Sequence, residues 1–153
     1  MRLVCRQCEA ITYRNPVVGV AVVLTEEELI LLGRRSRGAY AGLWCIPCGY
    51  VEWDEDVRDA ARREMIEETG LVVEIGDVCA VHSNFHERNR QTVGIWFWGR
   101  QRGGTLRPGD DLDHVEYRPL DAPPPLAFPT DALVIGQLRR ERTAGPLLGP
   151  GRS

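Results

Sequence analysis

No stretch of this sequence approaches the ~20 consecutive apolar residues of a membrane-spanning helix, and the opening residues, Met1 to Ala10, hold no apolar run of signal-peptide length. A cytoplasmic location without a membrane partner is the resulting expectation. Positive charge is not in excess either. With 19 basic and 22 acidic residues the formal net charge is −3, which gives no electrostatic footprint for nucleic acid and leaves a small molecule as the expected partner. Lysine is absent. The five cysteines are an odd number in a 153-residue chain long enough to bury its own core, which argues against a disulfide framework. His82, His86 and His114 are scattered and suggest no site. No internal repeat is visible.

What is present reads as one globular domain, 43% hydrophobic and 27% charged. Val17 to Leu24 is a short β-branched apolar run, the pattern of a strand buried on both faces. Thr25 to Glu28 makes a polar turn and Leu29 to Leu32 the returning strand, with Arg34, Arg35 and Arg37 in a following loop. Val72 to His82, interrupted at Gly76-Asp77, Thr92 to Trp98, and His114 to Arg118 complete the strands. A proline-rich connector, residues 121–130, leads to a last helix capped by Thr130 or Asp131, with Val134, Ile135 and Leu138 facing inward. Strands interleaved with helices predict an α/β protein.

The most informative stretch is Gly49 to Leu71. A helix is expected there with Asp54 as N-cap, Glu55 and Asp56 in its first turn and Gly70 as C-terminal cap. At ~100° per residue, Val57, Ala60, Ala61, Glu64, Glu67, Glu68 and Leu71 share one face. The three glutamates crowd one another in the last turn, where carboxylates oppose the helix dipole. A solvated acidic face is the plainer explanation. The opposite face, with Arg58, Asp59 and Arg62, is however already a paired solvent side. Three hard oxygen donors so close suit Mg²⁺ or Mn²⁺.

Gly49, Glu55, Arg63-Glu64, Met65, Glu67-Glu68, Gly70 and Leu71 also meet every fixed position of the Nudix box. The stretch thus resembles the Nudix hydrolase family. That resemblance implies a Nudix-type α/β/α sandwich with a mixed sheet over residues 13–142, preceded by a segment at 1–12 and followed by a mobile tail at 143–153. It implies Mg²⁺- or Mn²⁺-dependent hydrolysis of a pyrophosphate bond in a nucleoside diphosphate linked to another moiety, ADP-ribose or an NADH-like compound being favoured. The alternatives are a nucleoside triphosphate pyrophosphohydrolase and a non-catalytic Nudix-fold module that binds nucleotides for regulation; a homodimer is left open. By the same resemblance Glu64, Glu67 and Glu68 are metal ligands together with the Gly49 carbonyl, Arg63 positions Glu64 or Glu55, and Glu55 supports the loop. The general base is left open among these glutamates and an acid of a later loop.

Three further groups are candidates. Arg34 and Arg35 stand before the box, where forked guanidinium groups can clamp a diphosphate. Asp110, Asp111 and Asp113 are the later acids, not separable by sequence. Cys5 and Cys8 form a CxxC that resembles the second half of a family zinc ribbon, and Cys45 and Cys48 are the candidates to complete a four-cysteine Zn²⁺ site, against free thiols used as small hydrophobes. Phe85, Trp96 and Trp98 are weighed as a base-stacking surface against a core role.

Overall fold

The computed structural model describes residues 2–144. The expected tail from residue 145 onward lies outside the described residues, and its first two residues, Thr143 and Ala144, end a helix. A two-stranded hairpin, β1 (Leu3–Val4) and β2 (Ile11–Thr12), precedes the body. One sheet contains β7 (Cys48–Tyr50), β3 (Val17–Val23), β9 (Thr92–Gly104) and β8 (Leu71–Asn84), in that order. Its central pair, β3 with β9, is parallel and its outer pairs are antiparallel, so the sheet is mixed. A second sheet joins β10 (Leu112–Pro119), β5 (Leu29–Arg35) and β4 (Thr25–Glu26), with β6 (Trp44–Cys45) also on β5.

Two helices cover opposite faces. From β3, Val20 and Val22, with Leu24 just beyond, point toward α1 (Val57–Thr69) and join Ala60, Ala61, Met65 and Phe97. Ala21 and Val23 point the other way and join Val134, Ile135 and Leu138 of α2 (Pro129–Thr143). Period-two alternation on one strand thus builds both cores and the expected α/β/α sandwich. Full burial of Met65 alone contributes ~2 kcal/mol to seating α1.

Several local expectations are corrected. Arg34 and Arg35 belong to β5 rather than to a loop, because β10 pairs with the strand as far as Leu112–Arg35. Gly76-Asp77 does not end β8 but forms an irregularity in its pairing with β9, between Ile75 and Val78. The N-cap of α1 is Asp56, whose Oδ1 accepts from Arg58 N at 2.9 Å, and not Asp54, whose φ of 60° lies in the left-handed region. Glu55 therefore precedes the helix, leaving its carboxylate free to meet Arg63. At α2, Phe128 occupies the cap position without a side-chain bond and Pro129 begins the helix. Thr130 and Asp131 lie inside the first turn and are buried.

Candidate catalytic site

The last two turns of α1 face a cleft floored by β3 and β7. Glu68 is 1% exposed and Glu64 9%, whereas the side chain of Glu67 is about half exposed. Glu68 Oε2 accepts the backbone N–H of Cys48 at 2.8 Å. Glu64 lies over Gly49, where a built Cβ would overlap its carboxyl group, so only glycine lets the carboxylate approach the strand.

Arg63 organises the acids. Its Nε and Nη2 donate to the two oxygens of Glu55 at 2.7 and 2.9 Å, and Nη1 donates to Glu64 Oε1 at 2.8 Å and Glu67 Oε2 at 3.3 Å. Nη2 also donates to Tyr50 O at 3.1 Å, tying the helix to the end of β7. The forked bond holds the Glu55 carboxyl down at about 2. Burial has the opposite effect on Glu64, raised above the usual carboxylate range, and on Glu68, raised well above it.

The segment after β9 returns to the C-terminal end of α1. Arg107 N donates to Thr69 O at 2.9 Å and Gly109 N to Glu68 O at 3.0 Å, satisfying carbonyls that a helix end leaves open. Gly109 packs so closely that a Cβ would overlap Glu67 O. This docking carries Asp110 and Asp111 into the cleft and leaves Asp113 outside it. Carboxylate oxygens of Glu64, Glu67 and Asp110 come within 4.8 Å of one another, as do those of Glu68, Asp110 and Asp111.

Oxygen donors of this density fit a hard divalent cation. Five carboxylates gather where Arg63 and Arg35 are the inner guanidinium groups, with Arg37 reaching Asp110 Oδ1 from the exposed side at 3.4 Å, and Asp111 Oδ1 is buried without a hydrogen-bond partner. An anionic oxygen without a donor, set among other carboxylates, suits a cation as its partner.

The two candidate clamp arginines part company. Arg35 lines the cleft and donates from Nη2 to Asp111 Oδ2 at 2.8 Å. Arg34, next along β5 and so on its other face, pairs with Asp113 at 2.7 Å away from the cleft lining. The four cysteines do not gather. Cys5 and Cys8 are exposed on the hairpin, Cys45 is buried, Cys48 is part-buried, and among the described residues no group of three metal-ligating side chains includes a cysteine.

The cleft continues to an aromatic end absent from the sequence reading. Tyr40, His86 and Phe128 come from three separate segments and meet with ring centroids 5.4 to 5.6 Å apart, and the Arg35 guanidinium lies 5.4 Å from the Phe128 ring. Nothing in local spacing links these residues. Of the aromatic residues weighed earlier, Trp96 is core, donating from Nε1 to Asp131 Oδ1 at 3.0 Å; Phe85 is exposed and Trp98 packs against the core.

Comparison with known proteins agrees with this geometry. Residues 14–137 match the NUDIX domain family. The chain is 32% identical over 128 residues to an ADP-ribose pyrophosphatase of Methanocaldococcus jannaschii, covering 83% of this chain and 76% of that protein. It is 31% identical over 96 residues to an 8-oxo-dGDP phosphatase of Mus musculus, covering 63% of this chain and only 28% of that longer protein. The crystal structure of a NUDIX hydrolase from Nitrosomonas europaea superposes with a TM-score of 0.81 at 29% identity, covering 94% of this chain and 81% of the other.

Proposed function

The chain belongs to the Nudix family and is a pyrophosphohydrolase, and on that footing we propose that it cleaves the diphosphate bond of ADP-ribose or a closely related nucleoside diphosphate derivative with Mg²⁺ or Mn²⁺. The observation that carries this reading is the convergence of Glu64, Glu67 and Glu68 with Asp110 and Asp111 at one end of a cleft whose other end is aromatic. A diphosphate joining a nucleoside to a second group spans such a cleft. Its charged middle would lie by the acids, which a divalent cation would neutralise, and one flank would lie by Tyr40, His86 and Phe128. The ADP-ribose pyrophosphatase relative supports the same substrate class.

Glu64, Glu67, Glu68, Asp110 and Asp111 would hold the ion, with Gly49 leaving room for Glu64. When bound, the ion supplies Lewis-acid neutralisation of the diphosphate. Arg35, anchored by Asp111 and beside Phe128, would donate to phosphate oxygens. Arg63 keeps Glu55, Glu64 and Glu67 from separating.

The experiment is product analysis after incubation with Mg²⁺ and a panel of ADP-ribose, NADH, diadenosine polyphosphates, coenzyme A, flavin dinucleotide, and nucleoside di- and triphosphates. AMP and ribose 5-phosphate from ADP-ribose, lost on chelation, are the expected result. The match to an 8-oxo-dGDP phosphatase supports a second reading, a nucleotide without a second moiety. Preferential release of phosphate or pyrophosphate from the simple nucleotides would favour it.

A further inference from the structure

Glycine stands at position 19 inside the β-branched run of β3 and again at position 94 inside β9, although a glycine there weakens a strand by leaving no side chain to pack. The two are direct partners across the parallel ladder, which keeps one register from Val17–Thr92 to Val23–Trp98. Neither has a positive φ and neither sits at a bulge, so the backbone does not require them. What remains is the space above them.

That space is filled at one glycine and open at the other. A Cβ built on Gly94 would come within 2.7 Å of Cη2 and Cζ3 of Trp96, so the indole ring lies over this glycine. A Cβ built on Gly19 would meet, beyond its chain neighbours, only Gly49 O at 3.6 Å, an ordinary contact. Alternation puts Gly19 on the face of Ala21, toward α2, and both residues line the cleft. On its other side Gly19 is paired with Tyr50 of β7. The sheet thus presents a bare patch of backbone to the cleft, with Tyr50 beside it in one direction and the Trp96 ring in the other. Farther along the same face, Thr92 and Asn84 are partners across β9 and β8 and bring a hydroxyl and an amide to the cleft lining.

We propose that this patch seats the base of a nucleotide, lying flat over Gly19 between Tyr50 and Trp96 with its polar edge toward Thr92 and Asn84. The inference rests on the reading of the cleft as a nucleotide site and deepens it. A planar ring can approach peptide groups closely only where no Cβ stands, and aromatic side chains at its two sides add contact area. An amide and a hydroxyl together offer donors and acceptors to the edge of a base. Gly49, over which Glu64 lies, is paired with Val20, the next residue of β3, so the seat adjoins the acids. Base and phosphate would then occupy neighbouring parts of one cleft.

The test is binding, which does not depend on hydrolysis. AMP, GMP, CMP and UMP, none of which contains a diphosphate bond, are titrated by calorimetry into the full chain with Mg²⁺, beside ribose 5-phosphate, which keeps the sugar phosphate and lacks the base. At least one nucleotide should bind roughly 10-fold or more tightly than ribose 5-phosphate, and it alone should shift the Trp96 Nε1–H resonance. Gly19→Ala and Gly19→Val place a methyl and an isopropyl group over the patch. They should weaken that nucleotide stepwise, leave ribose 5-phosphate unchanged and hold or raise the melting temperature, because a Cβ has room at this strand position. Val18→Ala, on the other face of β3, should alter neither ligand. No preference for any nucleotide over ribose 5-phosphate, an unmoved Trp96 resonance, or full nucleotide affinity in whichever Gly19 variants fold would each overturn the proposal. The expected binding without cleavage of ADP-ribose would uphold the seat and count against the substrate reading alone.

Discussion

The backbone N–H of Cys48 donates to Glu68 Oε2 at 2.8 Å, across 20 residues of chain. The bond ties the strand entering the box to the last turn of its helix. It also partly offsets the burial of a carboxylate that is 1% exposed.

Glu68→Gln keeps an amide oxygen to accept that bond and removes only the charge. Turnover is expected to fall by roughly 100-fold or more, the size of losses seen when electrostatic stabilisation of a transition state is removed. The melting temperature should stay the same or rise, since a buried anion is replaced by a neutral group. Initial rates on ADP-ribose together with a thermal melt check both; near-normal turnover would sink the assignment of Glu68 to the metal site.

Arg63→Lys retains the charge but not the fork. Lysine cannot donate in parallel to both oxygens of Glu55 while reaching Glu64 and Tyr50 O. Loss of such a supporting partner is expected to reduce activity ~10- to 100-fold, with a higher Mg²⁺ concentration needed for half-maximal rate. A metal titration of the rate distinguishes this from simple unfolding.

Two glycine substitutions should fail in different ways. At Gly49 an added methyl meets the end of the Glu64 side chain, which can swing away, so Gly49→Ala should remain folded and lose activity. At Gly109 the methyl meets the Glu67 backbone carbonyl, which cannot move without the helix. Gly109→Ala should therefore also lose stability, by ~1–3 kcal/mol. Urea midpoints of the two proteins, compared side by side, test the contrast.

Asp131 carries a pH dependence. Its oxygens accept from Ile46 N at 2.9 Å and Trp96 Nε1 at 3.0 Å, but burial outweighs both bonds and pushes the carboxyl up to about 7. Because the folded value exceeds the unfolded one, near 3.9, the folded chain binds the proton more tightly. The stability this provides is complete below about pH 4 and is lost as pH rises through 7, on the order of 4 kcal/mol in all. In protein free of divalent cations, the urea midpoint should fall between pH 5 and 8. Glu64 and Glu68, also raised, act in the same direction. Asp131→Asn should remove part of that slope; an unchanged slope would assign it to the glutamates alone.

The box was legible in the sequence because its parts are local. Glu64, Glu67 and Glu68 share a helix face by periodicity alone, and the unbroken apolar run from Val17 to Leu24 already read as a strand buried on both faces. Contacts between distant segments were not legible. Asp110 and Asp111 separate from Asp113 only once the chain is anchored by Arg107 N and Gly109 N on α1, and Arg35 separates from Arg34 only once both are placed on opposite faces of β5. Asp54 has the right chemistry for an N-cap, but Asp56 takes the position by accepting from Arg58 N, and Glu55, then ahead of the helix, meets Arg63. Thr130 and Asp131 look like caps by type, yet the core claims Asp131 as an acceptor for Trp96.

The parallel pairing of β3 with β9 sets an order of events during synthesis. Val17 pairs with Thr92 and Val23 with Trp98, so the centre of the main sheet cannot close until nearly a hundred residues have left the ribosome. The glutamate-bearing helix emerges well before that, with neither its sheet nor the Arg107–Asp111 segment available to it. Fragments ending before Thr92 are accordingly expected to lack a cooperative thermal transition by circular dichroism, and fragments reaching Pro119 to acquire one. The nascent chain can thus acquire hydrolytic capability only late in translation.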